Sequence, residues 1–132
     1  MKSEIVIKDG KVYHLGLPPK VLSPNLVLVG DPQRAYRVAD KFDAIDAEFS
    51  NREYVTICGS YQGVAVSVIG TGIGTDNVEI AIIEAYGLLC LDLGFNIPLI
   101  DPLEINLIRV GTSGGIQGDL KPGSLAISNY AI

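Results

Sequence analysis

Tryptophan is absent from this 132-residue chain, histidine and methionine occur once each, and there are only two cysteines. Cys58 and Cys90 stand too far apart for a Cys-x-x-Cys redox pair. They are also too few for a disulfide framework or a zinc site. Buried free thiols in a cytosolic protein are expected instead. Positive charge is in short supply: 10 lysines and arginines face 15 acidic residues, for a net charge of −5. That argues against a nucleic-acid partner held by general electrostatics, though it leaves room for a local basic pocket. Long apolar runs are missing too. The longest, from Ile80 to Phe95, is interrupted by Glu84, Asp92 and glycines, so no membrane partner is expected. Near the start, Glu4, Ile5, Val6, Ile7 and Lys8 mix charged and apolar residues, unlike a signal peptide, and the expected location is cytoplasmic. Internal repeats and low-complexity segments are likewise absent.

What is present is the composition of a folded domain: 48% hydrophobic and 19% charged residues, in a length that suits a single unit spanning residues 1–132. After a short tail, the prolines of Val12–Pro19 predict an extended loop. Leu26–Val29 is continuously apolar, as a strand covered on both faces would be. Gly30-Asp31-Pro32 ends it, with Asp31 placed to cap a helix over 33–42 whose apolar side is Ala35, Val38, Ala39 and Phe42. A strand over Ile45–Phe49 follows. Tyr54–Gly59 and Val64–Ile69, separated by Ser60-Tyr61-Gln62-Gly63, read as a hairpin. A helix over 76–89, capped by Thr75 or Asp76, carries the stripe Val78, Ala81, Ile82, Ala85 and Leu89. Residues 90–105, with two prolines, are expected to be a loop against the surface or an interface. Ile105–Val110 reads as another buried strand. Lys121-Pro122-Gly123 is a turn before a last strand, Ser124–Ser128. The chain stops soon afterwards with no closing helix. A strand edge left there is costly, so a fragment of a longer protein, or a sheet completed by a partner, is expected. Tyr13, Phe42 and Tyr54 are expected to be core or interface aromatics.

Strand, glycine-rich turn and helix alternate, which predicts an α/β fold with a mixed, largely parallel central sheet flanked by helices. Three turns lie at predicted strand ends: Gly30–Arg34, Gly70-Thr71-Gly72-Ile73-Gly74-Thr75, and Gly111–Gly115 following Arg109. Ligands of open α/β sheets bind outside the carboxyl ends of the strands. Glycines let backbone N–H groups approach an anion closely, and arginine adds a planar fork of donors that matches phosphate. A phosphate or phosphorylated sugar is the implied ligand class. A dinucleotide site is weakly supported, because Gly70–Gly74 has the spacing GxGxG and not GxGxxG.

His14-Leu15-Gly16-Leu17, Gly30-Asp31-Pro32-x-Arg34, Arg52-Glu53-Tyr54, Thr71-Gly72-Ile73-Gly74 and Arg109-x-Gly111-Thr112-Ser113-Gly114-Gly115, in this order, resemble the nucleoside phosphorylase family. Within that family the wording of the last two leans toward the uridine phosphorylase branch, and the likeness is to the N-terminal half of those proteins. The resemblance implies an enzyme that splits a nucleoside with inorganic phosphate as co-substrate, giving base and ribose 1-phosphate, with no organic cofactor. It implies phosphate binding by Gly30, Arg34, Arg52, Arg109 and Thr112, of which Arg34, Arg109 and Thr112 carry catalysis. It implies nucleoside binding by His14, Thr71, Gly72, Thr112, Ser113 and Gly114. Arg52 and His14 are implied to act across a subunit interface, the histidine toward the ribose 5′-hydroxyl, in a homodimer or hexamer of dimers. Glu53, Ile73 and Asn77 correspond to a monovalent-cation site in bacterial members. The family's Met-Glu-x-Glu segment, which grips the ribose hydroxyls, and the base-selecting residues do not occur in this chain. Two alternatives stay open: a non-catalytic phosphate-binding or assembly fragment, and a purine nucleoside phosphorylase. A nucleosidase using water has no need of Arg34 and Arg109.

Overall fold

The computed structural model describes residues 5–94, 97–101 and 103–130. A five-stranded sheet organises it. Its strands, in chain order, are β3 (Asn25–Val29), β4 (Ala44–Asn51), β5 (Tyr54–Tyr61), β6 (Val64–Gly70) and β9 (Asn106–Val110). They lie side by side in the order β4-β5-β6-β3-β9. β4/β5 and β5/β6 are antiparallel; β6/β3 and β3/β9 are parallel. The sheet is therefore mixed, with pairings of the two kinds in equal number among the described residues.

Two helices sandwich it. On one face α1 (Pro32–Ala39) buries Ala35 and Ala39 against Val29, Val55, Ile57 and Val68. On the other, α2 (Thr75–Cys90) packs Ala81, Ala85, Leu88 and Leu89 against Leu26, Leu28, Tyr54, Cys58 and Ile69. The chain segment carrying Val12, Leu15, Leu17 and Leu22 completes that second layer. Alternate residues of β5 feed the two cores, as the period-two geometry of a strand requires. Cys58 and Cys90 are both buried free thiols.

Several predicted bounds shift. α1 ends at Ala39 and not at residue 42, because Asp40 caps it and the N–H groups of Lys41 and Phe42 turn back to Val38 and Ala39. α2 is capped by Gly74, not by Thr75 or Asp76; with φ 113° Gly74 holds a conformation that other residues rarely adopt, and it brings no side chain to the cap. The hairpin β5–β6 turns tightly on Gln62-Gly63, both left-handed. A second tight turn, Arg52-Glu53, joins β4 to β5. The start of the chain is more ordered than a tail: β1 (Ile7–Lys8) and β2 (Lys11–Val12) pair across left-handed Asp9 and Gly10. Within 90–105, β7 (Leu91–Asp92) and β8 (Ile97–Pro98) form a small antiparallel ladder in place of a plain loop.

Two expectations fail. β9 is not a buried strand: all five of its residues are exposed, since it pairs with β3 on one side and no described helix packs on it. Ser124–Ser128 is not a strand, because it runs through an exposed irregular segment, 111–130, with no partner strand among the described residues. The turn at Lys121–Ser124 does form, closed by Ser124 N–H on the Lys121 carbonyl at 3.0 Å. Of the predicted aromatics, Tyr54 is buried, Phe42 packs beside α1, and Tyr13 is exposed. No described helix is long and apolar enough to cross a membrane.

Candidate functional site

β6, β3 and β9 are neighbours and run in the same direction, so their carboxyl ends meet on one side of the sheet. The three glycine-rich turns follow these three ends. Between them and the first turns of α2 lies a cavity of about 1410 Å³. This is the position that the topology of an open α/β sheet assigns to a ligand.

The two helices begin differently at this cavity. At α1 the N-terminus is already satisfied: Asp31 Oδ1 accepts the Gln33 N–H at 2.9 Å. At α2 no side chain caps the first turn, and Gly74 and Thr75 line the cavity. The unpaired N–H groups of a helix start and the positive end of its dipole favour an anion.

Arg34, Arg52 and Arg109 all line the cavity, together with Gly30, Gly72, Gly111 and Thr112. Arg34 projects from the first turn of α1, Arg109 from β9 and Arg52 from the β4–β5 turn. None of the three is ion-paired among the described residues. The carboxylates of Asp31, Glu53 and Glu79 share the lining, and Asp31 is committed to the α1 cap. Arg52 has φ 54°, a left-handed backbone that is unfavourable for a residue with a side chain. Its guanidinium lies 5.2 Å from the centroid of the Tyr13 ring. Arg52 also borders a smaller pocket of about 390 Å³ beside Lys8, Lys11 and Tyr13, so it stands on the wall between two concavities.

Of the remaining predicted residues, Glu53 and Ile73 line the cavity, whereas Thr71, Asn77, Ser113, Gly114 and His14 lie off its wall. Thr71 is buried; its N–H donates to the Val29 carbonyl at 2.8 Å and its hydroxyl sits near the carbonyls of Val29 and Gly72. Ser113 and Gly114 lie in the exposed segment after β9. His14 sits on the loop before Leu15, half-buried, with Nδ1 2.7 Å from Glu84 Oε1. Glu53, Ile73 and Asn77 gather around Gly72. Their oxygens are of the kind a monovalent cation accepts, but the Ile73 carbonyl already takes a hydrogen bond from the Asn77 amide at 3.2 Å.

Tyr54 supports this corner from beneath. Its hydroxyl donates to the Asn77 carbonyl at 3.3 Å. Burial, reinforced by the Glu53 and Glu84 carboxylates, raises its pKa and keeps the phenol neutral. The sequence pattern missed the apolar flank of the cavity. Val78 and Ile82 read there as core stripe; Val78 does pack against the core, but both also join Thr75, Glu79 and Ile83 on the face of α2 that lines the cavity. Their spacing of three and four residues was the available signal.

A family model described as the phosphorylase superfamily matches residues 24–132. A uridine phosphorylase of Treponema pallidum is 36% identical over 120 residues, which are 91% of this chain and 41% of that protein. A uridine phosphorylase of Thermococcus kodakarensis is 32% identical over 125 residues, 95% of this chain and 40% of that one. A DeoD-type purine nucleoside phosphorylase of Exiguobacterium is 35% identical over 120 residues, 89% and 45% of the two chains. Among solved structures, a Trypanosoma brucei nucleoside phosphorylase described as showing uridine phosphorylase activity matches with a TM-score of 0.81 and 30% identity. That match covers 91% of this chain and 42% of the other. The chain thus spans less than half the length of these relatives.

Proposed function

The chain belongs to the phosphorylase superfamily, and from that membership we propose that it serves the reversible phosphorolysis of a nucleoside, with uridine as the favoured substrate. The observation that carries this is the convergence of Arg34, Arg52 and Arg109, none of them ion-paired among the described residues, on one cavity at the strand ends. The uncapped start of α2 opens into the same space. A dianionic phosphate is the ligand this arrangement suits.

The chemistry asks for no protein nucleophile. A phosphate oxygen bonds to the anomeric carbon of the ribose as the carbon–nitrogen bond to the base breaks. The base departs with the bonding electron pair, and the sugar passes through an oxocarbenium-like transition state. Catalysis is then positioning and charge compensation. Arg34 and Arg109 hold the phosphate with Gly30 and Thr112, and Arg52 serves the same phosphate or that of a neighbouring subunit. His14 reaches toward the ribose 5′-hydroxyl of a neighbour, and Thr71, Gly72, Ser113 and Gly114 border the sugar and base. An assembly of at least two subunits, acting in the cytoplasm without an organic cofactor, belongs to the same proposal.

The purine relative at 35% identity favours a second substrate class, a purine nucleoside. One experiment separates the options. The purified chain is incubated with phosphate and either uridine or inosine, and free base and ribose 1-phosphate are followed. Phosphate-dependent release of uracil supports the favoured substrate, and release of hypoxanthine the purine one. Phosphate binding with neither product supports a phosphate-binding fragment. Absence of phosphate binding overturns the site.

A further inference from the structure

We propose that Glu84 is a positioning residue for His14: it holds the neutral imidazole in the Nδ1–H tautomer, so that Nε2 is left as a hydrogen-bond acceptor. The two residues are 70 positions apart and are joined by three contacts, and a fourth ties Glu84 to Leu15. Glu84 lies in the third turn of α2 with its side chain only 5% exposed. Oε1 accepts the His14 backbone N–H at 3.0 Å and stands 2.7 Å from His14 Nδ1. Oε2 accepts the Leu15 N–H at 2.8 Å, with the His14 N–H at 3.2 Å. A carboxylate only accepts, so at this separation Nδ1 carries the proton. A free imidazole side chain favours the opposite tautomer, and Glu84 reverses that preference.

The loop's other polar groups are fixed as well. The Asn51 amide donates to the Tyr13 carbonyl at 3.0 Å and the His14 carbonyl at 2.8 Å. Gly16 N–H closes the turn on the Val12 carbonyl at 3.0 Å. The Tyr13 ring meets the imidazole edge-on at 5.0 Å between centroids. Among the described residues, His14 is the only basic side chain within ion-pair distance of Glu84. The carboxylate is therefore dedicated to the loop and its histidine. An acceptor nitrogen held this way suits a hydroxyl donor; that the hydroxyl belongs to a nucleoside rests on the proposed function.

His14 is the only histidine, which makes the test direct. Long-range proton–nitrogen correlation spectra of the histidine-labelled chain, at alkaline pH where imidazole is neutral, report which nitrogen bears hydrogen. The expected pattern has Nδ1 protonated and Nε2 bare. An Nε2–H pattern, or fast averaging of the two tautomers, in the folded chain overturns the proposal. In Glu84→Gln the amide offers one acceptor oxygen where the carboxylate offered two. The pattern is then expected to shift toward Nε2–H, with Glu84→Asp restoring part of the original. A folded E84Q with an unchanged pattern also overturns the proposal, and if E84Q fails to fold, the wild-type pattern decides. Turnover of uridine is measured separately. The expected tautomer without turnover counts against the proposed function and not against the role of Glu84.

Discussion

Gly70, the last residue of β6, lies directly against Pro32, the first residue of α1: a Cβ on Gly70 would stand 2.9 Å from Pro32 Cα. Backbone cannot swing aside as a side-chain tip can, so Gly70→Ala must push α1 off the sheet. Overpacking of this kind costs about 1–3 kcal/mol, read as a lower melting temperature. Because Arg34 rides on the first turn of α1, phosphate affinity is expected to fall in the same variant.

Arg34→Ala and Arg109→Ala are expected to behave in the opposite way, with stability nearly unchanged and phosphate binding weakened. Neither side chain is ion-paired among the described residues. Hydrogen bonds to charged groups are worth about 1.5–3 kcal/mol, which corresponds to a roughly 10- to 100-fold weaker phosphate dissociation constant. Calorimetric titration with phosphate at low ionic strength checks this. Wild-type affinity in either variant would remove that arginine from the site.

Arg52 combines a left-handed backbone with a place on the cavity wall. Glycine suits that backbone without the steric penalty, which is about 1–2 kcal/mol for other residues. Arg52→Gly is therefore expected to be at least as stable as the parent while binding phosphate more weakly. A variant that loses stability in denaturant titration would show that the Tyr13 contact matters more than the turn.

The Cys58 thiol has its pKa raised from the ordinary 9.0, first by burial, against a lowering by the Ser67 hydroxyl bond. The native state then holds the thiol proton to higher pH than the unfolded chain does. Stability from this source is fully present below the unfolded value and is lost as pH rises through the folded one. Denaturant titrations between about pH 8 and about pH 10 should show the stability gap between wild type and Cys58→Ala narrowing with pH. A constant gap would mean that the thiol is not the titrating group.

The strand-end turns were legible because continuous apolar runs stopping at Gly30, Gly70 and Gly111 have one simple structural meaning. The cavity followed from them, with Arg34, Arg109 and Thr112. The Arg52 turn was hidden, since Asn-Arg-Glu-Tyr contains no glycine to betray a left-handed position. The Glu84 role was hidden differently: a carboxylate on an apolar helix face looks like an interruption until a loop 70 residues away folds onto it. β9 misled in the other direction. Asn-Leu-Ile-Arg-Val looks like interior strand, but apolar composition does not say which neighbours arrive to cover it. Ser124–Ser128 has strand-like residues and no partner strand among the described residues, and an unpaired strand has no ladder to hold it.

The pairing of β3 with β9 also sets an order of assembly. β4, β5 and β6 are joined by two-residue turns and can zip together as neighbours along the chain. β9 must instead find β3 across the separation marked by Asn25 and Asn106, whose side chains bond 81 residues apart. Closing so long a loop is entropically slow, so the meander forms early and β9 docks late. The same contact opens first, and amide protons of β9 should exchange with solvent ahead of those in β5 and β6. Arg109 sits on that last strand, so an anion bridging it to Arg34 would act as a latch, slowing exchange along β9 in proportion to how tightly it is held.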